Sequence, residues 1–182
     1  MDERIPGIRP QPSLWQRLDN LARLSFAATS TALLLLIIAA PLGLPGQAQL
    51  LIAFALASVF FWSLFRPSCM SPPMVFILGV LTDLLGYAPL GVNVLTLLLA
   101  HGLALRWRRF LTRQGFFLVW LAFIIVSAGA AVLQWLLTSV LMLTVLPMLP
   151  VLFQGMLAAG IYPMLAVLLT RAHSSLGEPD AA

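Results

Sequence analysis

Asp83, Asn93, His101 and Arg66 are the side chains whose types could do chemistry in an otherwise apolar stretch of this sequence. A carboxylate beside an imidazole can move a proton, but the spacing works against that pairing. Counted from the turn near Pro89, Asp83 lies six residues back and Asn93 four residues on, so an antiparallel hairpin sets the two at similar depth. His101 follows Asn93 by eight residues, which at ~1.5 Å per residue separates it from that level by roughly 10 Å. A His/Asp pair is therefore geometrically poor, and His101 is expected to hydrogen-bond between helices. Asp83 has two readings: a carboxylate accepting a hydrogen bond from Asn93 inside the hairpin, or a coupling or partner-binding acid. Either must offset the ~2.5 to 3.5 kcal/mol that a carboxylate costs in mid-membrane. Arg66, followed by Pro67 at the end of an apolar run, has a stem long enough to snorkel to an interface.

The remaining polar groups do not assemble into a site. Cys69 is the only cysteine, so no internal disulfide and no Cys/His metal spacing exists. The sequence carries no Gly-rich phosphate loop and no nucleophile elbow. Gln134, Gln154 and Tyr162 stand singly on separate apolar stretches, as interhelical hydrogen-bonding groups do. Gly155 with Ala159, and Ser127 with Ala131, have the small-xxx-small spacing that permits close helix approach. The expectation is a protein that is not an enzyme and holds no cofactor or metal.

The elements that carry these residues follow from composition. Of 182 residues 61% are hydrophobic and 9% charged, and the mean hydropathy is +1.01. A soluble domain of this size places about a quarter of its residues as charge, so a water-soluble enzyme is excluded. Apolar runs long enough to cross a ~30 Å hydrocarbon core recur. The spans are Ser25 to Leu44, Ala48 to Phe65, Pro73 to Tyr87, Gly91 to Leu105, Phe116 to Leu146 and Leu149 to Thr170. The chain thus reads as an all-α integral membrane protein: a tail over 1–24, a six-helix membrane domain over 25–170 and a second tail over 171–182. Within the first tail, the Ser13/Gln16 spacing of a capping box and Leu14, Leu18 and Leu21 on one stripe predict a short amphipathic helix over Ser13 to Arg23. A plain solvated lead-in is the other reading.

Charge gives the orientation. All ten basic residues are Arg and fall at 4, 9, 17, 23, 66, 106, 108, 109, 113 and 171, whereas the turns around 45–47, 88–90 and 147–148 carry no charge. With six spans, every Arg lies on one side, which the positive-inside rule assigns to the cytoplasm together with both termini. The formal charge of +4 therefore reports topology and not nucleic acid. Phe116 to Leu146 would measure ~46 Å as a straight helix, beyond the hydrocarbon core, so it must tilt, bend near Gly129 or protrude past Trp135. A protruding Leu136 to Leu146 would offer a partner surface.

The densest motif runs FRPSCMSPPMVFILGVLTDLLGYAPLGVN, in which Arg66, Pro67, Gly79, Asp83, Pro89, Gly91 and Asn93 are the marked positions. It resembles the signature region of the rod shape-determining MreD family, over roughly residues 25 to 170. The sequence departs from that pattern in its longer N-terminal tail, in Tyr87 and Ala88, and in Asn93 where a His is common. The resemblance implies a non-catalytic scaffold of the bacterial elongation machinery in the cytoplasmic membrane. The partners it implies are an MreC-like bitopic protein, the MreB filament, and a RodA-type glycosyltransferase with its transpeptidase. It also implies a fold similar to the small substrate-binding subunits of energy-coupling-factor transporters. Transport of a vitamin-type molecule is the competing expectation, with Asp83 and Asn93 as the available ligand-binding groups.

Overall fold

The computed structural model describes residues 14–40, 46–86, 89–144 and 147–174, with side chains described between 27 and 168 of these. The described residues are helical: α1 (Leu14–Ala39), α2 (Gln47–Phe65), a 3-10 turn (Pro67–Cys69), α3 (Pro72–Gly86), α4 (Val92–Leu111), α5 (Phe116–Met142) and α6 (Leu149–Ser174). Three stretches are long and apolar enough to cross a membrane: α2, α5 and 149–168 of α6. They mark the chain as a membrane protein. The 27–39 part of α1 and all of α3 are apolar but shorter, and α4 carries Arg108 and Arg109 in its last turn.

Helix limits follow local chemistry. No Pro or Gly falls between Ser13 and Ala40, and α1 runs through Arg23 without a break. The expected amphipathic helix and first span are thus one helix. The Ser13 cap, the 1–12 tail and the span ends at Leu44, Tyr87 and Leu146 lie outside the described residues. Pro67 opens the 3-10 turn, and Pro72 and Pro73 start α3, where a missing N–H costs nothing. The fifth helix is continuous through Gly129 and stops at Met142, four residues short of the expected end, because Leu143 turns left-handed (φ 53°).

Around this frame α2 is the centre. It packs against α1, α3, α4, α5 and α6, and its run from Ala55 to Leu64 is buried without interruption. A helix apolar on every face can do this. The core gathers Phe60, Phe123 and Tyr162 on α2, α5 and α6, with Phe60 5.3 Å from the Phe123 ring and 5.9 Å from the Tyr162 ring.

Side-chain to main-chain bonds fasten the helix ends. Gln47 Nε2 donates to Ile38 O (2.7 Å) and Ala40 O (2.5 Å), closing the last turn of α1. Arg108 Nε donates to Leu64 O (3.0 Å), closing the last turn of α2 from α4. In α6, Pro163 removes the N–H that would reach Ala159 O. Trp120 Nε1 on α5 donates to that carbonyl instead (2.9 Å). The contacts place Arg66, Arg106, Arg108, Arg109 and Arg113 at one end of the bundle, the arginine end, and Asp83 near the other.

Candidate functional site

The polar centre forms where α3 turns into α4. Gly91 adopts φ +98°, a left-handed conformation that glycine takes without a Cβ penalty. That turn sends two α4 N–H groups back toward α3. Asp83 meets both: Oδ2 accepts from Gly91 N (2.7 Å) and Oδ1 from Asn93 N (2.9 Å). Gly91 has no side chain to cap α4, so the carboxylate caps it from the preceding helix. Its negative charge also meets the positive end of the α4 dipole. Charge-assisted bonds of this kind contribute ~1.5 to 3 kcal/mol each, enough to offset the membrane cost of the acid. Gly79 allows the approach: a Cβ there would sit 2.6 Å from Val94 Cα.

The depth expected from counting holds, and Asn93 donates to Asp83 as expected. Asn93 reaches Asp83 through its main-chain N–H, while its side chain faces α5. Asn93 Oδ1 accepts from Gln134 Nε2 (2.8 Å), and Gln134 Oε1 accepts from Gln154 Nε2 (2.6 Å). A buried relay therefore runs from α3 through α4 and α5 to α6. Gln134 and Gln154, read singly from sequence, are one structure. A depth count does not pair them from sequence, because the expected span end at Leu146 puts Gln134 twelve residues from the turn and Gln154 five. The end of α5 at Met142 shortens the first distance to eight. Asn93 is 1% exposed and its Nδ2 meets no partner among the described residues. It lines a cavity of about 230 Å³ with Gln49, Ile52, Gln134, Trp135 and Gln154.

His101 lies apart, toward the arginine end. Its Nδ1 is 2.6 Å from Ser63 Oγ on α2, and the Ser63 hydroxyl also donates to Val59 O (2.5 Å). One hydroxyl hydrogen cannot serve both, so Nδ1 carries the proton and donates to Oγ. The expected interhelical histidine is thus satisfied at one nitrogen, and Nε2 is buried without a partner among the described residues. Arg66 is exposed at the end of α2, where its N–H bonds Trp62 O. Pro89 accepts from Val92 N (3.3 Å) in the hairpin turn. Of the small-xxx-small pairs, Ser127 and Ala131 are buried on α5, whereas a Cβ on Gly155 would meet nothing within 4 Å. The close approach to another helix's backbone is at Gly79, which belongs to neither pair.

Among the described residues no three of His, Cys, Asp and Glu cluster to hold a metal. At the Asp83 end, Leu136, Val140, Leu141, Met142, Leu143 and Leu152 are exposed, Leu143 at 90%. Compared with known proteins, the chain matches no family model, no curated protein and no solved structure.

Proposed function

We propose that this protein is a non-catalytic membrane scaffold of the bacterial cell-elongation complex, as its resemblance to MreD proteins implies. In this reading it spans the cytoplasmic membrane six times with both termini inside. One observation carries the proposal. Asp83, the acid at the centre of the motif, spends both oxygens on main-chain N–H groups of its own hairpin. Gly79, Asp83, Gly91 and the main chain of Asn93 thereby act as a structural clamp, and the Asp83 carboxylate is consumed in shaping the molecule. The apolar surface from Leu136 to Leu152 is available for intramembrane contact with an MreC-like partner, and through it with MreB, the RodA-type glycosyltransferase and its transpeptidase.

The cavity beside Asn93 favours a second reading, a subunit that binds a small neutral molecule for transport. A buried amide with a free donor is what a ligand carbonyl would meet there.

The deciding experiment is purification of the tagged protein from its native membrane in mild detergent, with mass spectrometry of the proteins and small molecules that accompany it. Recovery of an MreC-like protein with cell-wall synthases is the expected result. An ATPase module or a stoichiometric small molecule would make transport the primary reading. Loss of assembly and of rod shape in Asp83→Ala is expected as well, and an unchanged cell would sink the clamp.

A further inference from the structure

At the arginine end a larger cavity of about 430 Å³ opens between α2, the α4–α5 turn, α5 and α6. Phe61, Phe65, Phe116, Val119 and Ala166 make its walls apolar, and Tyr162 lies in its lining. Tyr162 is 0% exposed, stacked on Phe123 at 4.3 Å and on Phe116 at 6.5 Å. Its hydroxyl nevertheless has no hydrogen-bond partner among the described residues. A buried hydroxyl left unpaired is costly, so an acceptor entering this cavity would be stabilised.

The rim has the opposite character. Phe116 begins α5, a helix of 27 residues whose N-cap, Gly115, offers no side-chain bond. The positive end of its dipole and its first N–H groups therefore border the cavity, an arrangement that favours anions. Thr112 and Gln114 line the same rim on either side of Arg113. Arg108 is tied to Leu64 O, next to the lining residue Phe65. Arg106, Arg108, Arg109 and Arg113 are all exposed. The only acid between Asp19 and Glu178 is Asp83, at the far end of the bundle, so this charge is not balanced by the surrounding sequence.

We propose that this cleft binds one anionic glycerophospholipid. Its phosphate lies at the α5 N-terminus beside Arg113 and Arg108, an ester carbonyl accepts from the Tyr162 hydroxyl, and an acyl chain runs along Phe61, Phe65 and Val119. Basic clefts between membrane helices recognise lipid headgroups in this way. An apolar helix of another protein would fill the walls but would leave the Arg113 charge and the Tyr162 hydroxyl unmet. The inference requires only that the chain sits in a membrane and is independent of the scaffold reading.

The test is native mass spectrometry of the purified full-length chain in detergent, titrated with dioleoyl phosphatidylglycerol, its ether-linked analogue and dioleoyl phosphatidylcholine. One phosphatidylglycerol per chain is expected, bound about tenfold more tightly than phosphatidylcholine. The ester form should bind about fivefold more tightly than the ether form, by one hydrogen bond. Tyr162→Phe keeps the ring stack and should abolish the ester preference. Arg113→Gln should weaken phosphatidylglycerol about fivefold and leave phosphatidylcholine unchanged. Equal binding of the two headgroups, or an ester preference that survives Tyr162→Phe, overturns the site. If Tyr162→Phe does not fold, the ester-to-ether comparison on the wild-type chain decides, and equality there overturns it. Displacement of the lipid by millimolar glycerol phosphate would also overturn it, by showing a site for free phosphate.

Discussion

Asp83 gives its two oxygens to two N–H groups, and nothing else in the hairpin can replace an acceptor with two such sites. Asp83→Asn keeps the volume but turns an NH2 group toward one of those N–H donors. The charge attraction to the α4 dipole is lost with it. We expect this substitution to lower stability by ~2 kcal/mol, read as a shift of the unfolding midpoint in detergent. A variant as stable as the wild type would show that the carboxylate is not what caps α4. Sequence reasoning found the Asp83/Asn93 pairing because depth in a hairpin is a matter of counting. Counting did not reveal that the main chain of Asn93 is the donor, nor that Gly91 N–H is a second one, because both depend on the turn conformation at Gly91.

At the scale of elements, contact between α3 and α4 depends on the missing side chain of Gly79. Gly79→Ala would place its Cβ 2.6 Å from Val94 Cα, and backbone cannot rotate away as a side chain can. An overpacking cost of ~1 to 3 kcal/mol is expected. Gly102→Ala, on an open face of α4 where the new Cβ meets nothing within 4 Å, should be neutral or slightly stabilising. Equal effects for the two would mean that helix propensity, and not helix separation, governs this hairpin. The end of α5 makes a second case. Leu143 sits at φ 53° and is 90% exposed, a position where glycine ordinarily relieves strain. Leu143→Gly should stabilise the isolated chain by ~1 kcal/mol. If the surface around it receives a partner, the same change should reduce co-purification. Stabilisation with undiminished capture would place the partner elsewhere.

At the scale of the whole molecule, the arginine end and the Asp83 end differ in charge as two sides of a membrane do. The proposed topology makes a direct prediction for Leu90→Cys and Arg113→Cys in a Cys69→Ala chain. Both positions are exposed. In intact cells an impermeant maleimide should label the first, and should reach the second only after permeabilisation. Labelling of both from outside would overturn the six-span reading, including the sidedness that the arginines imply.

Helical class and membrane character were determined by sequence alone, because ~1.5 Å per residue against a ~30 Å core is arithmetic on apolar run length. So was the placing of every arginine outside the apolar runs, which needs only the order of segments. Tertiary structure alone decided which helix is central. α2 and α5 are both uncharged and apolar, yet α2 is largely buried while much of α5 faces outward. Hydropathy cannot separate them, since lipid tails are as apolar as a protein core. The relay from Asn93 through Gln134 to Gln154 was hidden for a related reason. A lone glutamine on an apolar helix has no pattern to fix its rotation about the helix axis, and only the packing of α4, α5 and α6 turns these three amides toward one another.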